Sequence, residues 1–122
     1  MIESQHDQDL NLTTFTCSGT PTATDVINRL TAFYGGSPTL HTIWDYTAAD
    51  LSALTADKIS QLAGFLKKNA HSRAGGRAAL VFTMEQLLSI NDRLDRLAEL
   101  EIEQASIKMF NDLEKARAWI AG

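Results

Sequence analysis

Apolar positions along this chain switch repeatedly between a spacing of two and a spacing near 3.6 residues. Leu10 to Cys17 reads Leu-Asn-Leu-Thr-Thr-Phe-Thr-Cys. Leu10, Leu12, Phe15 and Cys17 nearly alternate with polar residues, and threonine favours extended backbone, so the segment predicts a strand. Ile2–His6 is a weaker partner strand, and the polar Asp7-Gln8-Asp9 between the two predicts a hairpin. Ser18-Gly19-Thr20-Pro21 stops the strand. Thr22 with Asp25 three residues on forms a capping box, and Val26, Ile27, Leu30, Phe33 and Tyr34 give one apolar helix face. Gly35-Gly36-Ser37-Pro38 ends that helix.

The alternation then repeats. Leu40–Tyr46 is rich in β-branched and aromatic residues and predicts a strand. Thr55 is the expected N-cap of a second helix, with Leu54 and Ile59 as its hydrophobic staple and Ile59, Leu62, Ala63 and Leu66 as its stripe. Arg77-Ala78-Ala79-Leu80-Val81-Phe82 has the continuous apolar character of a strand buried on both faces. Thr83 with Gln86 caps a third helix carrying Leu87, Ile90, Leu94, Leu97 and Ala98 inward. Gln104–Phe110 is a last strand. Asn111 with Glu114 opens a closing helix with Leu113, Ala116, Trp119 and Ile120 inward. Helices between strands force crossover connections. The expected fold is therefore α/β, with a four- or five-stranded, mostly parallel (mixed) sheet and about four helices, in a single domain over residues 1–122.

Composition narrows the function classes. The 122 residues are 44% hydrophobic and 21% charged, the balance of an ordinary globular domain rather than a disordered or fibrous one. The net charge of −4 works against nucleic acid and against anionic lipid. The lone Cys17 excludes an internal disulfide and fits a reducing compartment. The Met1–Asp7 stretch shows neither the basic nor the apolar character of a secretion signal, and the longest apolar run, Ala78–Phe82, is far short of a membrane span. A cytoplasmic protein without membrane insertion is expected.

Candidate chemistry is sparse. Asp45, Asp50 and Asp57 form an acidic trio, with Asp45 expected at the carboxyl end of a central strand, where open α/β sheets place ligands. The plainer reading is that Asp45 folds back to cap the following loop. His6, His41 and His71 lie on different elements and lack the close spacing of metal ligands. Cys17 has no base beside it in sequence and fits a small buried hydrophobe. Lys67, Lys68, His71, Arg73 and Arg77 make a basic cluster that suits an acidic partner, although lysines in a helix's last turn already complement its dipole. Phe65, Met84, Leu88, Leu100 and Ile102 fall off or at the margin of the core stripes.

The element order, the Trp44-Asp45 pair, the Gly76-Arg77-Ala78-Ala79-Leu80-Val81 strand and the terminal Phe110-Asn111-Asp112-Leu113-Glu114-Lys115-Ala116-Arg117-Ala118-Trp119-Ile120 resemble the SpoIIAA-like family. These are small bacterial proteins related to the STAS domain of sulfate transporters and anti-sigma factor antagonists. The resemblance covers nearly the whole chain. It implies a module that acts by binding a protein partner rather than by catalysis, with no cofactor and no metal. In the antagonists, a serine in an Asp-Ser-Ser-Gly segment at the start of the second helix is phosphorylated by the partner kinase. The matching stretch here, Asp50-Leu51-Ser52-Ala53-Leu54-Thr55-Ala56-Asp57, lacks that motif. Ser52 and Thr55 are its nearest hydroxyls. The expected interaction loop thus comprises Asp45, Asp50, Ser52, Thr55 and Asp57, with Lys67, Lys68, Arg73 and Arg77 as a basic patch. The wider group also includes members resembling lipid-carrying folds, so binding of a small apolar ligand is the alternative expectation. An apolar helix face would favour a two-fold homodimer.

Overall fold

The computed structural model describes residues 1–68, 76–89 and 105–122. Five strands form one sheet in the order β1 (Ile2–Asp7), β2 (Leu12–Gly19), β3 (His41–Ala49), β4 (Gly76–Val81) and β5 (Ala105–Phe110). The first pair is antiparallel, and the other three pairs are parallel. Helices α1 (Ala23–Gly35) and α2 (Ala56–Lys68) cross between strands. A third helix, α3, runs over 84–89, beyond which the chain leaves the described residues until 105. Helix α4 (Leu113–Ala121) closes the chain. The mixed sheet and helix alternation follow the sequence reading, including the N-terminal hairpin. Its loop is longer than Asp7-Gln8-Asp9: it turns through residues 8–11, and Asn11 takes the left-handed conformation that asparagine tolerates (φ 51°).

Sequential strand order with right-handed crossovers places α1, α2 and α3 on one face, and α4 returns on the other. Two cores result. Phe15, Cys17, Val26, Leu30, Trp44, Tyr46, Leu62 and Phe82 lie in the first, with Leu87 of α3 packed against it. Leu12, Ile43, Ala79, Val81, Ala116 and Ile120 form the second, under α4. The imperfect alternation of Leu12, Phe15 and Cys17 is thereby explained. The pleat sends Leu12 to the α4 side and the other two to the α1–α2 side.

The first core is built on a row of rings. Phe15 stacks on Trp44 (4.3 Å between centroids, 17° between planes). Trp44 lies beside Tyr46 (6.1 Å, 18°), and Tyr46 stacks on Phe82 (5.2 Å, 8°). Phe33 of α1 meets Phe15 edge-on at 5.6 Å. Neighbouring strands bring these rings together in register, with Phe15 directly opposite Trp44. In the second core Ala79 and Ala116 are fully buried, which lets α4 approach the sheet closely.

Helix starts follow the capping rules, with one shift. Thr22 Oγ1 accepts from the Asp25 amide (3.1 Å), and Asp25 accepts from the Thr22 amide (3.0 Å). Thr83 and Gln86 exchange the same pair of bonds. At α4 the cap is Asp112, which accepts from the Glu114 amide at 2.7 Å, not Asn111 as the spacing suggested. Asn111 instead donates to Met84 Sδ. Leu113, expected inward, is 38% exposed: it shares the face of Ala116 and Ile120 but is the first residue of the helix, at the rim of the core.

At the other end of the strands, a hydrogen-bond chain crosses three of them. Thr39 Oγ1 donates to the His41 carbonyl (2.8 Å) and so accepts from Thr13 Oγ1 (2.8 Å). Thr13 has then spent its only proton, so His6 Nδ1 is the donor in its 2.9 Å contact with Thr13. The Arg77 amide donates to His41 Nδ1 (3.0 Å). The histidines thus tie strands together at the sheet's lower end. Buried Thr42 Oγ1 has no partner among the described residues.

Candidate functional site

The carboxyl ends of the parallel strands gather four connections: the turn from β2 to α1, the loop from β3 to α2, the turn from β4 to α3, and the turn from β5 to α4. Side chains lock these together. Gln86, held by its capping bonds to Thr83, directs its Nε2 back into β3, donating to the carbonyls of Tyr46 (2.8 Å) and Ala49 (2.9 Å). Asn111 Nδ2 reaches Met84 Sδ at 3.1 Å. Asp50, whose amide donates to the Gly19 carbonyl (2.7 Å), accepts from the Ser52 amide (2.9 Å), forming a tight Asx turn. Leu51 and Leu54 are buried beneath this loop, whereas Ser52 and Thr55 are exposed. Thr55 Oγ1 accepts from the Lys58 amide at the limit of hydrogen-bond distance, 3.5 Å.

Of the expected loop residues, Asp50, Ser52 and Thr55 come together on this surface, and Asp57 follows, exposed, in the first turn of α2. Asp45 does not join them. Strand β3 runs four residues past it to Ala49, so Asp45 lies within the strand rather than at its end. The pleat puts it on the face of Ile43, opposite α2. There it accepts from the Thr47 amide (3.0 Å) and hydroxyl (2.7 Å). The sheet therefore separates Asp45 from Asp57. Among the described residues, no three His, Cys, Asp or Glu side chains gather as a metal site.

The basic cluster is also dispersed. Arg77 lies on the α4 face, where its guanidinium donates to the Trp119 carbonyl and rests over the Trp119 ring, 5.4 Å from its centre. The side chains of Lys67 and Lys68, and the whole of His71 and Arg73, lie outside the described residues, as do Leu100 and Ile102. Phe65 packs against the first core and lies 6.3 Å from Tyr34. Met84 and Leu88, by contrast, stand out from α3 at 57% and 81% exposure.

Charge states follow from these contacts. Burial, helped by the charge on Asp45, pushes the Cys17 thiol from its ordinary 9.0 up to about 12. Burial likewise raises Tyr46. The Ser52 amide and hydroxyl hold Asp50 below the usual carboxylate range. Thr22 does the same for Asp25. For Asp7 the Leu10 amide has the largest effect, with Arg117 (2.9 Å) adding to it. The signs predict a plateau in stability against pH. An unfolded thiol ionises near 9 while the folded one stays protonated, so stability is full below pH 9 and falls as pH rises from there towards 12. The depressed carboxylates stabilise the fold above their unfolded value of 3.8, and that contribution is lost as pH falls below it. Urea midpoints measured against pH should fall at both ends. Cys17 should also resist a thiol reagent at pH 8 until the chain unfolds, and labelling at the rate of a free cysteine would contradict its burial.

The architecture has a counterpart among solved structures. An uncharacterised protein of the DUF3478 family from Shewanella loihica PV-4, described as having a SpoIIAA-like fold, superposes with a TM-score of 0.58. The alignment covers 98% of this chain and 92% of that one. The fold is SpoIIAA-like. At 21% sequence identity the likeness concerns the fold alone. No family model matches the chain, and no curated protein matches it either. In this SpoIIAA-like fold no helix of the described residues is long and apolar enough to cross a membrane.

The sequence alone did not single out Gln86 as the clamp between β3 and α3, nor Asn111 as a neighbour of Met84. The capping signal at Thr83 and Gln86 was legible. The second use of the same amide, towards β3, needs the packed structure.

Proposed function

We propose that this chain is a non-enzymatic binding module of the cytoplasm that recognises a protein partner at the carboxyl ends of its parallel strands. One observation carries the reading. Met84 and Leu88, both mostly exposed, project from a helix whose start is clamped by Gln86 to the strand leading into the loop that exposes Ser52 and Thr55. Apolar anchors on a rigid base, joined through Gln86 to the strand that leads into exposed hydroxyls, are suited to a protein interface, since little order has to be gained on binding. The dispersal of Asp45 and Asp57, and the protonated, buried Cys17, support binding over catalysis. The row of rings favours a protein partner over a carried apolar ligand, because Phe15, Trp44, Tyr46 and Phe82 occupy the layer between the sheet and its helices. A phosphate added at Ser52 or Thr55 would lie at the positive end of the α2 dipole and change the charge of the recognised surface.

The test is affinity capture with the intact chain, followed by binding measurements on the captured protein. Leu88→Asp and Met84→Asp should each weaken binding at least about tenfold, and Ser52→Glu or Thr55→Glu should shift it measurably. Binding indifferent to all four substitutions would refute this surface as the site.

A further inference from the structure

Among the described residues no segment pairs with the outer side of β1, the edge strand of the sheet, and its geometry goes beyond the partner surface just described. Met1 and Ser18 exchange both backbone bonds: the Met1 nitrogen donates to Ser18 O (2.8 Å) and the Ser18 amide to Met1 O (2.9 Å). Antiparallel pairs alternate. Hence Glu3, Gln5 and Asp7 turn their backbone groups inward to Thr16, Thr14 and Leu12, and Ile2, Ser4 and His6 turn theirs outward. Apart from the carboxylates of Glu3 and Asp7, the strand lacks the usual protections of an edge. It has no proline, no lysine and no break in register from Ile2 to Asp7. Side chains from Glu3 to His6 are exposed. Helix α1 reaches it through Arg29, whose guanidinium donates to Ser4 Oγ at the limit of hydrogen-bond distance (3.5 Å), and open clefts run between helix and strand on either side of that contact, leaving the outward backbone groups of β1 unpaired by α1.

We propose that β1 pairs with β1 of a second copy of this chain, antiparallel about a two-fold axis at Ser4, joining two sheets edge to edge. The register follows from charge. A two-fold antiparallel pair must set outward-facing residues against outward-facing residues. An axis at Glu3 places that carboxylate against the partner's Glu3. An axis at Gln5 places Glu3 against the partner's Asp7, again like against like. An axis at His6 leaves much of the strand unpaired and sets the ring against its copy. Only the axis at Ser4 pairs the full strand without opposing like charges: Glu3 faces the partner's Gln5, and Ile2 faces the partner's His6. This self-complementarity selects a second copy as the occupant over an unrelated strand. One short strand per chain buries modest area, so the dimer is concentration-dependent.

Sedimentation equilibrium of the full chain from low-micromolar to millimolar concentration should show a monomer passing to a dimer. The Ser4 and His6 amides should gain protection from hydrogen exchange over the same range, while Glu3 and Gln5 change little. Ser4→Lys sets two ammonium groups face to face and Ser4→Pro removes the outward N–H at the axis. Each should weaken dimerisation at least about tenfold. Ser4→Lys leaves the backbone intact, so it keeps the test valid even if the proline variant folds poorly. Leu88→Asp, on the partner surface, should leave the dimer unchanged and so separates the two interfaces. A chain that stays monomeric at millimolar concentration, or a dimer indifferent to Ser4→Lys, overturns the proposal.

Discussion

Trp44→Ala is expected to cost about 3–5 kcal/mol of folding stability, the largest effect of any single substitution considered. Trp44 is 4% exposed, central in β3, with Phe15 stacked on one side and Tyr46 on the other. Removing the indole leaves a void that its neighbours fill poorly. Phe15 is fixed by β2 and by the edge of Phe33, and Tyr46 is fixed by Phe82. Domains of this size are stable by about 5–15 kcal/mol, so much of the margin disappears. Urea unfolding followed by circular dichroism measures the loss directly. The remaining Trp119, on the opposite core, supplies an independent fluorescence probe of the same transition. A loss below about 1 kcal/mol would mean that the row of rings is not a packed core.

Gln86→Leu is expected to cost about 2–4 kcal/mol, although the side chain keeps nearly the same size. Its amide serves three backbone groups at once: it accepts from the Thr83 amide and donates to the Tyr46 and Ala49 carbonyls. Leucine leaves all three without that partner, in half-buried surroundings. The substitution also unfastens α3 from β3. Hydrogen exchange should therefore quicken in residues 47–55 and at the start of α3, while β1 and α4 keep their protection. Gln86→Glu keeps the acceptor but loses the donor, so it should show part of the loss. A Gln86→Leu protein with unchanged stability and exchange would show that the clamp does not hold the partner surface. Its partner affinity should fall with the exchange protection, which ties this measurement to the proposed interface.

Much of the candidate surface was legible from local rules. Asp50, Ser52 and Thr55 could be placed at a helix entrance because Asx turns and N-caps are satisfied within a few residues. Asp45 could not be placed by the same logic. Its fate depended on where β3 ended, and β3 continues to Ala49 because its backbone finds partners on β2 as far as Gly19. Arg77 looked like a member of a basic patch because Lys67, Lys68 and Arg73 are near it in sequence. Its place on β4, opposite Trp119, follows from strand alternation and from α4 returning across that face.

The order of strands and helices, the Thr22 and Thr83 caps and the separation of apolar from polar positions were determined by the sequence itself. Each rests on period, propensity or a hydrogen bond spanning three or four residues. Tertiary structure decided which apolar residues belong to which of the two cores, which face of the sheet Asp45 and Arg77 occupy, and which strand forms the edge of the sheet. Those outcomes depend on pairs of residues that meet only when distant segments pack, such as Phe15 with Trp44, Gln86 with Ala49 and Arg77 with Trp119. No local period encodes them, because the energy that selects them arises from contact across the fold rather than along the chain.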